Sequence, residues 1–418
     1  MTACVRHLYI HIPFCHRRCS YCDFNTYANM EDRMDTYVDA LCTELDLRRQ
    51  SVLIPGDQAQ QSRQTALRVP TPLAPPVLRS DLLPTVFLGG GTPTMLPLEL
   101  MEKVLTTANH LIPLDQAEVT IEANPGIVLG RDYLRSLRDL GINRISMGVQ
   151  SLHDPTLRVL GRTHTAAEAR TSYEDTRIAG FERINLDFIF GLPDQTVEQW
   201  DETLRDIVTW GADHFSLYSL ILEEETPLYA QILNGHVTVP DDDTAGEMYE
   251  LAMQHFDEAG YVHYEISNWA RDQGAPSNEH PVLPGQASHH NMAYWFNTDY
   301  LACGAGAHGH VFPNRYYDIL GIDEYIAQIR QNTLPTHETI PLTEHDLYAE
   351  TMFMGLRLNV GVSHAHFRDR CGVELNDVYG DLLDELWFKG LVERDELGVR
   401  LTKRGWMLGN QVFARFVI

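Results

Sequence analysis

YIHIPFCHRRCSYCDF, residues 9–24, joins a β-rich run to three cysteines, and its reading decides the fold. Cys15, Cys19 and Cys22 fall within eight residues, with three residues between the first pair and two between the second. Packing gives no reason for such crowding, so it asks for a chemical one. The other cysteines, Cys4, Cys42, Cys303 and Cys371, are scattered and read as small buried hydrophobes. Seven is an odd total in a chain of 418 residues, which fits reduced thiols better than a secreted disulfide framework. A cluster of four irons and four sulfides takes one ligand per iron, so three cysteines leave one iron open to an exogenous group. The competing reading is zinc, with His7, His11 or His16 completing a tetrahedron of three sulfurs and one nitrogen.

Working outward, LYIHIP from Leu8 is the first of six β-rich runs. TVFLGG from Thr85, EVTIEA from Glu118, RISMGV from Arg144, RINLDFIFG from Arg183 and HFSLYSL from His214 follow. Helical patterns separate them: Tyr37, Leu41 and Leu45 share one face, Leu100, Val104 and Leu111 another, and Gly141, Gly180 and Gly211 punctuate the returns. Recurring βα units predict an α/β fold with a parallel sheet, and six of them an incomplete barrel, (β/α)6, over residues 1–222 with ligands at the strand C-termini. Residues 51–80, rich in Pro, Gln and Ser without periodicity, read as a disordered surface insertion.

Beyond residue 222 the pattern changes. Residues 223–341 carry the aromatic, glycine-rich segments GYVHYEISNWA and HHNMAYWFNTDYLACGAGAHGHV, an α+β extension expected to lengthen the sheet and cover the site. Residues 342–418 place helices around LYAETMFMGLRL and ELNDVYGDLLDELWFKG ahead of short strands at LVER and GVRLT and a final helix, the order of a winged helix. The second of these helices carries Glu374, Asp377, Asp381, Asp384 and Glu385 where a DNA reader would be basic. A formal charge of -26 likewise repels phosphate backbones and anionic membrane surfaces, so nucleic acid is not an expected partner. Neither a secretory signal nor a bilayer-length apolar run is present, and the reading is a cytoplasmic protein, not an integral membrane one.

YIHIPFCHRRCSYCDF, LGGGTPTML, EANPG, GVQS, LGRTH and NLDFIFGLP, in this order, resemble the radical SAM proteins of the HemN and HemW group over nearly the whole chain. The resemblance implies a radical SAM barrel, a 4Fe-4S cluster on Cys15, Cys19 and Cys22, and S-adenosylmethionine on its open iron. It also places Tyr9, Tyr21, Gly90, Gly91, Thr92, Glu122, Gln150, Arg162 and Asp187 around that cofactor. The chemistry suits these roles: glycines let backbone approach, carboxylates at strand ends meet cationic or hydroxyl-bearing parts, and an arginine pairs with a carboxylate. Taken singly, the triple glycine is explained as well by a tight turn, and each polar side chain by a cap or surface ion pair.

Two departures separate the group's branches. The coproporphyrinogen oxidases of the HemN type carry a further cysteine two residues after the third, where this chain has Phe24, and a longer extension ahead of the cluster. Both departures point to the HemW branch of haem chaperones, as does HNMAYW, His290–Trp295, which matches that branch's HNxxYW motif. The resemblance therefore implies haem as cargo, with His290, Asn291, Tyr294 and Trp295 as candidate contacts, and a haem-acceptor protein, the respiratory chain being one source. His289, His308 and His310 are rival ligands, and residue chemistry alone allows His290 to be a hydrogen-bonded structural corner. The alternative function is oxygen-independent oxidative decarboxylation of coproporphyrinogen III, an oxidoreductase activity.

Overall fold

The structure, a computed structural model, describes residues 5–53, 82–126, 130–272 and 281–417. Alternation along β1 (His7–Ile12) sets its two faces. Leu8, Ile10 and Ile12 are fully buried in the core that also holds Tyr37, Leu41 and Leu45 of α1 (Met34–Leu53), while Tyr9 and His11 line a cavity on the other face. β1 pairs in parallel with β2 (Thr85–Gly90), and β3 (Glu118–Ala123), β4 (Arg144–Gln150), β5 (Arg183–Phe190) and β6 (His214–Ser219) continue the sheet in chain order. These are the six runs expected from the sequence, and they form the expected incomplete (β/α)6 barrel.

Helices α2 (Leu98–Asn109), α3 (Arg131–Asp139), α4 (Asp154–Val159), α5 (Ala166–Ile178) and α6 (Val197–Trp210) alternate with the strands. The face expected on α2 is corrected: Met101, Val104, Leu105 and Ala108 are buried, Leu100 is half-buried, and Leu111 lies past the helix end. Asn109 stops that helix, its Oδ1 accepting from the Leu114 N–H at 3.0 Å. Gly211 ends α6 in the left-handed region at φ 70°, a conformation that would strain any side chain.

The sheet stays open. β7 (Tyr261–Glu265) and β8 (Asn268–Arg271) add antiparallel strands beyond β6, and β9 (Leu301–Cys303) joins β1 in parallel, giving nine strands in the order β9-β1-β2-β3-β4-β5-β6-β8-β7. The segment expected to lengthen the sheet thus supplies both of its edges. β10 (His308–Val311), β11 (Asn314–Asp318) and β12 (Thr336–Pro341) form a separate antiparallel sheet.

From Glu344 the order is helix, strand, helix, helix, strand, strand, then two short helices, Lys403–Met407 and Gly409–Phe413, where one final helix was expected, around a core of its own built on Met352, Phe367, Leu383 and Phe416. The helix His364–Cys371 is absent from the sequence reading. Of the insertion expected at 51–80, residues 51–53 are the last of α1 and the rest lies outside the described residues. Among the described residues no helix is long and apolar enough to cross a membrane.

Candidate cluster and cofactor site

The cysteine loop leaves β1 and is held by backbone. Phe14–Cys15 pairs with Tyr27–Ala28, the Thr92 N–H donates to the Phe14 carbonyl at 2.7 Å, and Ser20 donates through N and Oγ to the carbonyls of Leu160 and Val159. Gly91 and Gly161 make this fit possible: a Cβ on Gly91 would lie 2.5 Å from the Phe14 carbonyl oxygen, and one on Gly161 3.3 Å from the Ser20 nitrogen. The three thiols are free and half-buried. Burial pushes Cys15 up to about 11 and raises Cys22 as well, so holding thiolates here requires a compensating cation. Bound iron is such a cation, since a coordinating thiol is deprotonated outright.

Arg162 ties the loop to the barrel. Its guanidinium donates to Cys19 Sγ at 3.5 Å, to Asn124 Oδ1 at 2.6 Å and to the Gly148 carbonyl at 2.5 Å, and Asn124 in turn donates to Thr92 Oγ1 at 2.7 Å. Thr92 Oγ1 is 3.8 Å from Cys15 Sγ. Asn124 therefore bridges two expected site residues, although the sequence reading passed over it inside EANPG. Arg162 itself follows α4 and the Gly161 turn instead of a strand end.

The zinc alternative loses two of its ligands in this conformation. His7 Nδ1 is 3.1 Å from Thr85 Oγ1. His11 is fixed in one tautomer, because the Asn25 carbonyl at 2.9 Å accepts from Nε2 and leaves Nδ1 to accept from the Tyr9 hydroxyl at 2.9 Å. Among the described residues no three His, Cys, Asp or Glu side chains are grouped to hold a single metal ion.

Inside the barrel mouth, Tyr9 and Glu122 reach the same cavity as Gly90. Gly90 donates its N–H to Glu122 Oε2 at 3.0 Å, and a Cβ on Gly90 would sit 2.5 Å from the His11 ring. Burial, then Asp187, raises Glu122 to about 7. Asp187 is raised by burial too, against the opposing hydrogen bonds from Asn185 at 2.7 Å and Ser146 at 3.2 Å. Neither carboxyl has an ion-pair partner among the described residues. A buried carboxyl at the cavity wall, Glu122, with a second, Asp187, close enough to raise it, is suited to a cationic ligand, and the sulfonium and ammonium of S-adenosylmethionine supply that charge. Asp187 sits mid-strand in β5, three residues before its end, and Gln150 closes β4 at φ 70° beside a register shift. Tyr21 lies by the apolar cluster of Leu160, Ile189 and Leu192, with its hydroxyl raised by burial.

The helix His289–Trp295 divides its candidates. His290 is 2% exposed, with Nδ1 2.7 Å from Thr85 Oγ1, Nε2 2.9 Å from Tyr294 Oη and its ring stacked on Phe87. Both nitrogens are engaged, so it is the hydrogen-bonded structural corner here and not a ligand on offer. Thr85 starts β2, which puts His290 at the end of the barrel away from the cysteines. Trp295 lies under Arg357 at 4.3 Å, and Asn291 donates its N–H to the capping Ser288. Tyr294 alone of the four lines the cavity.

Residues 76–207 match the family model of the radical SAM superfamily and residues 342–408 that of the HemN C-terminal domain. The chain is 35% identical to the heme chaperone HemW of Bacillus subtilis over 98% of each chain, and 33% identical to that of Lactococcus lactis over 98% of this chain and 97% of the other. The solved coproporphyrinogen III oxidase HemN of Escherichia coli, a radical SAM enzyme, shares the fold at a TM-score of 0.77 and 22% identity, covering 99% of this chain and 90% of that one. Full-length identity at this level, on a cysteine loop and barrel mouth built as described, makes the chain a member of the HemW family within the radical SAM superfamily.

Proposed function

We propose that the chain carries haem in the cavity beside its cluster loop and hands it to an acceptor protein, with the 4Fe-4S cluster and S-adenosylmethionine held alongside. One observation carries this reading. A cavity of about 680 Å³ lies between the cofactor residues Tyr9, Gly90 and Glu122 and the aromatic pair Tyr294 and Tyr300. The flat rings with polar edges on its aromatic side suit a porphyrin. Phe24, 63% exposed where decarboxylating relatives carry a further cysteine, adds an apolar face at the rim.

When bound, the cluster and S-adenosylmethionine supply one-electron chemistry at a sulfonium. The chain's own part is positional. Arg162 fixes Cys19 relative to β4, Gly90 and Gly91 leave room for the His11 ring and the Phe14 carbonyl that shape the turn, and Glu122, with Asp187 behind it, receives the ligand's positive charge. Decarboxylation of coproporphyrinogen III is the second reading, and the shared fold is what favours it. The acceptor is a separate protein, and a cytoplasmic location is supported by thiols that an oxidising compartment would pair.

Anaerobic titration separates the two. Stoichiometric haem with a Soret band, and no product from coproporphyrinogen III with S-adenosylmethionine and reductant, is the result expected. Decarboxylated product without haem binding would reverse the assignment.

A further inference from the structure

Four histidines stand near the aromatic segment that follows residue 287, and they differ in what their nitrogens do. His290 has both engaged, as described. His289 accepts from the Leu83 N–H at 3.3 Å, just before β2 begins and so at the end of the barrel away from the cluster loop. His310 is fully buried, with Nε2 3.0 Å from the Arg370 guanidinium. His308 alone lines the 680 Å³ cavity, is exposed, and has no hydrogen bond on either ring nitrogen among the described residues.

The His308 ring is nonetheless placed. It begins β10, paired opposite Tyr317, and the two rings stack at 5.2 Å and 17°. A side chain held by one ring face leaves a ring nitrogen free, which is what an iron ligand needs. Around it the cavity offers Tyr294 and Tyr300 as ring walls and Arg18, exposed on the cluster loop, as a cation for a propionate. Partial burial and Arg315 lower the His308 basicity, which favours the neutral, ligating form of the ring.

We infer that His308 is the axial ligand to the haem iron, with the porphyrin between it and the tyrosine pair and a propionate toward Arg18. This rests on the haem-carrier reading and specifies the site that reading needs.

The test is haem titration of the full chain, anaerobically reconstituted, with optical and resonance Raman spectra of the wild type, His308→Ala and His290→Ala, repeated with added imidazole. His308→Ala is expected to raise the haem dissociation constant at least about tenfold and to lose the histidine-ligated spectrum. Imidazole is expected to restore that spectrum, and the cluster absorbance to stay unchanged. His290→Ala is expected to keep the wild-type ligation. Wild-type affinity and spectrum in His308→Ala would overturn the ligand alone. A wild-type chain that takes up no haem would overturn the carrier reading and the ligand with it.

Discussion

Glu122 is the residue whose environment makes the sharpest demand. Its carboxyl is raised from 4.5 to about 7 by burial and by Asp187, with only the Gly90 N–H opposing. A folded-state value above the unfolded one means stability that is full below 4.5 and lost as pH rises through 7. The displacement corresponds to about 3 kcal/mol. In the metal-free chain, Glu122→Gln is therefore expected to gain stability relative to wild type as pH goes from 4.5 to 7, read from denaturant midpoints; a pH-independent difference would contradict it. Arg162→Ala leaves Asn124 Oδ1 and the Gly148 carbonyl without their buried donor, and a loss of roughly 2–4 kcal/mol is expected in the same measurement. Much of this residue chemistry was legible in the sequence, because the cysteines and glycines come at the ends of successive strands and the carboxyls within them, in order. For His290 residue chemistry allowed the structural corner and the motif the ligand, and neither shows that Thr85 and Tyr294 occupy its nitrogens or that His308 is left open.

The elements that matter are the turns leaving β1 and β2, which interlock. Gly91→Ala would drive a Cβ into the Phe14 carbonyl and displace the strand that carries Cys15. Lower iron content after identical reconstitution is the expected outcome, with the far-ultraviolet dichroism of the barrel retained; full iron loading would show the turn to be tolerant. Element existence was readable where period-2 runs were long, and all six barrel strands were found that way. His364–Cys371 escaped because only His366 and Phe367 of its eight residues are buried, too few to write a helical stripe. Asp187 was expected at a strand end, but β5 runs on through Phe188, Ile189 and Phe190, so its carboxyl is set deeper in the barrel.

Across the whole molecule, charge and architecture divide the work. A net charge of -26 leaves anionic cargo to be met by local cations such as Arg18, and the acidic helix Leu375–Phe388 is unsuited to a nucleic-acid groove. The joining of β9 to β1 could not be read from the sequence, because Leu301–Cys303 is three residues long and finds its partner nearly three hundred residues away. That pairing brings Tyr300 and His308 round to the face bearing Tyr9 and Glu122, and so places the proposed cargo pocket against the cofactor site. Everything in this arrangement depends on what the three thiols bind. Iron, acid-labile sulfide and zinc should be quantified together on oxygen-free protein, beside Cys15→Ser, Cys19→Ser and Cys22→Ser. Iron and sulfide in equal amounts approaching four per chain, lost in each variant, is the result predicted; stoichiometric zinc, or iron that survives removal of any one thiol, would contradict it.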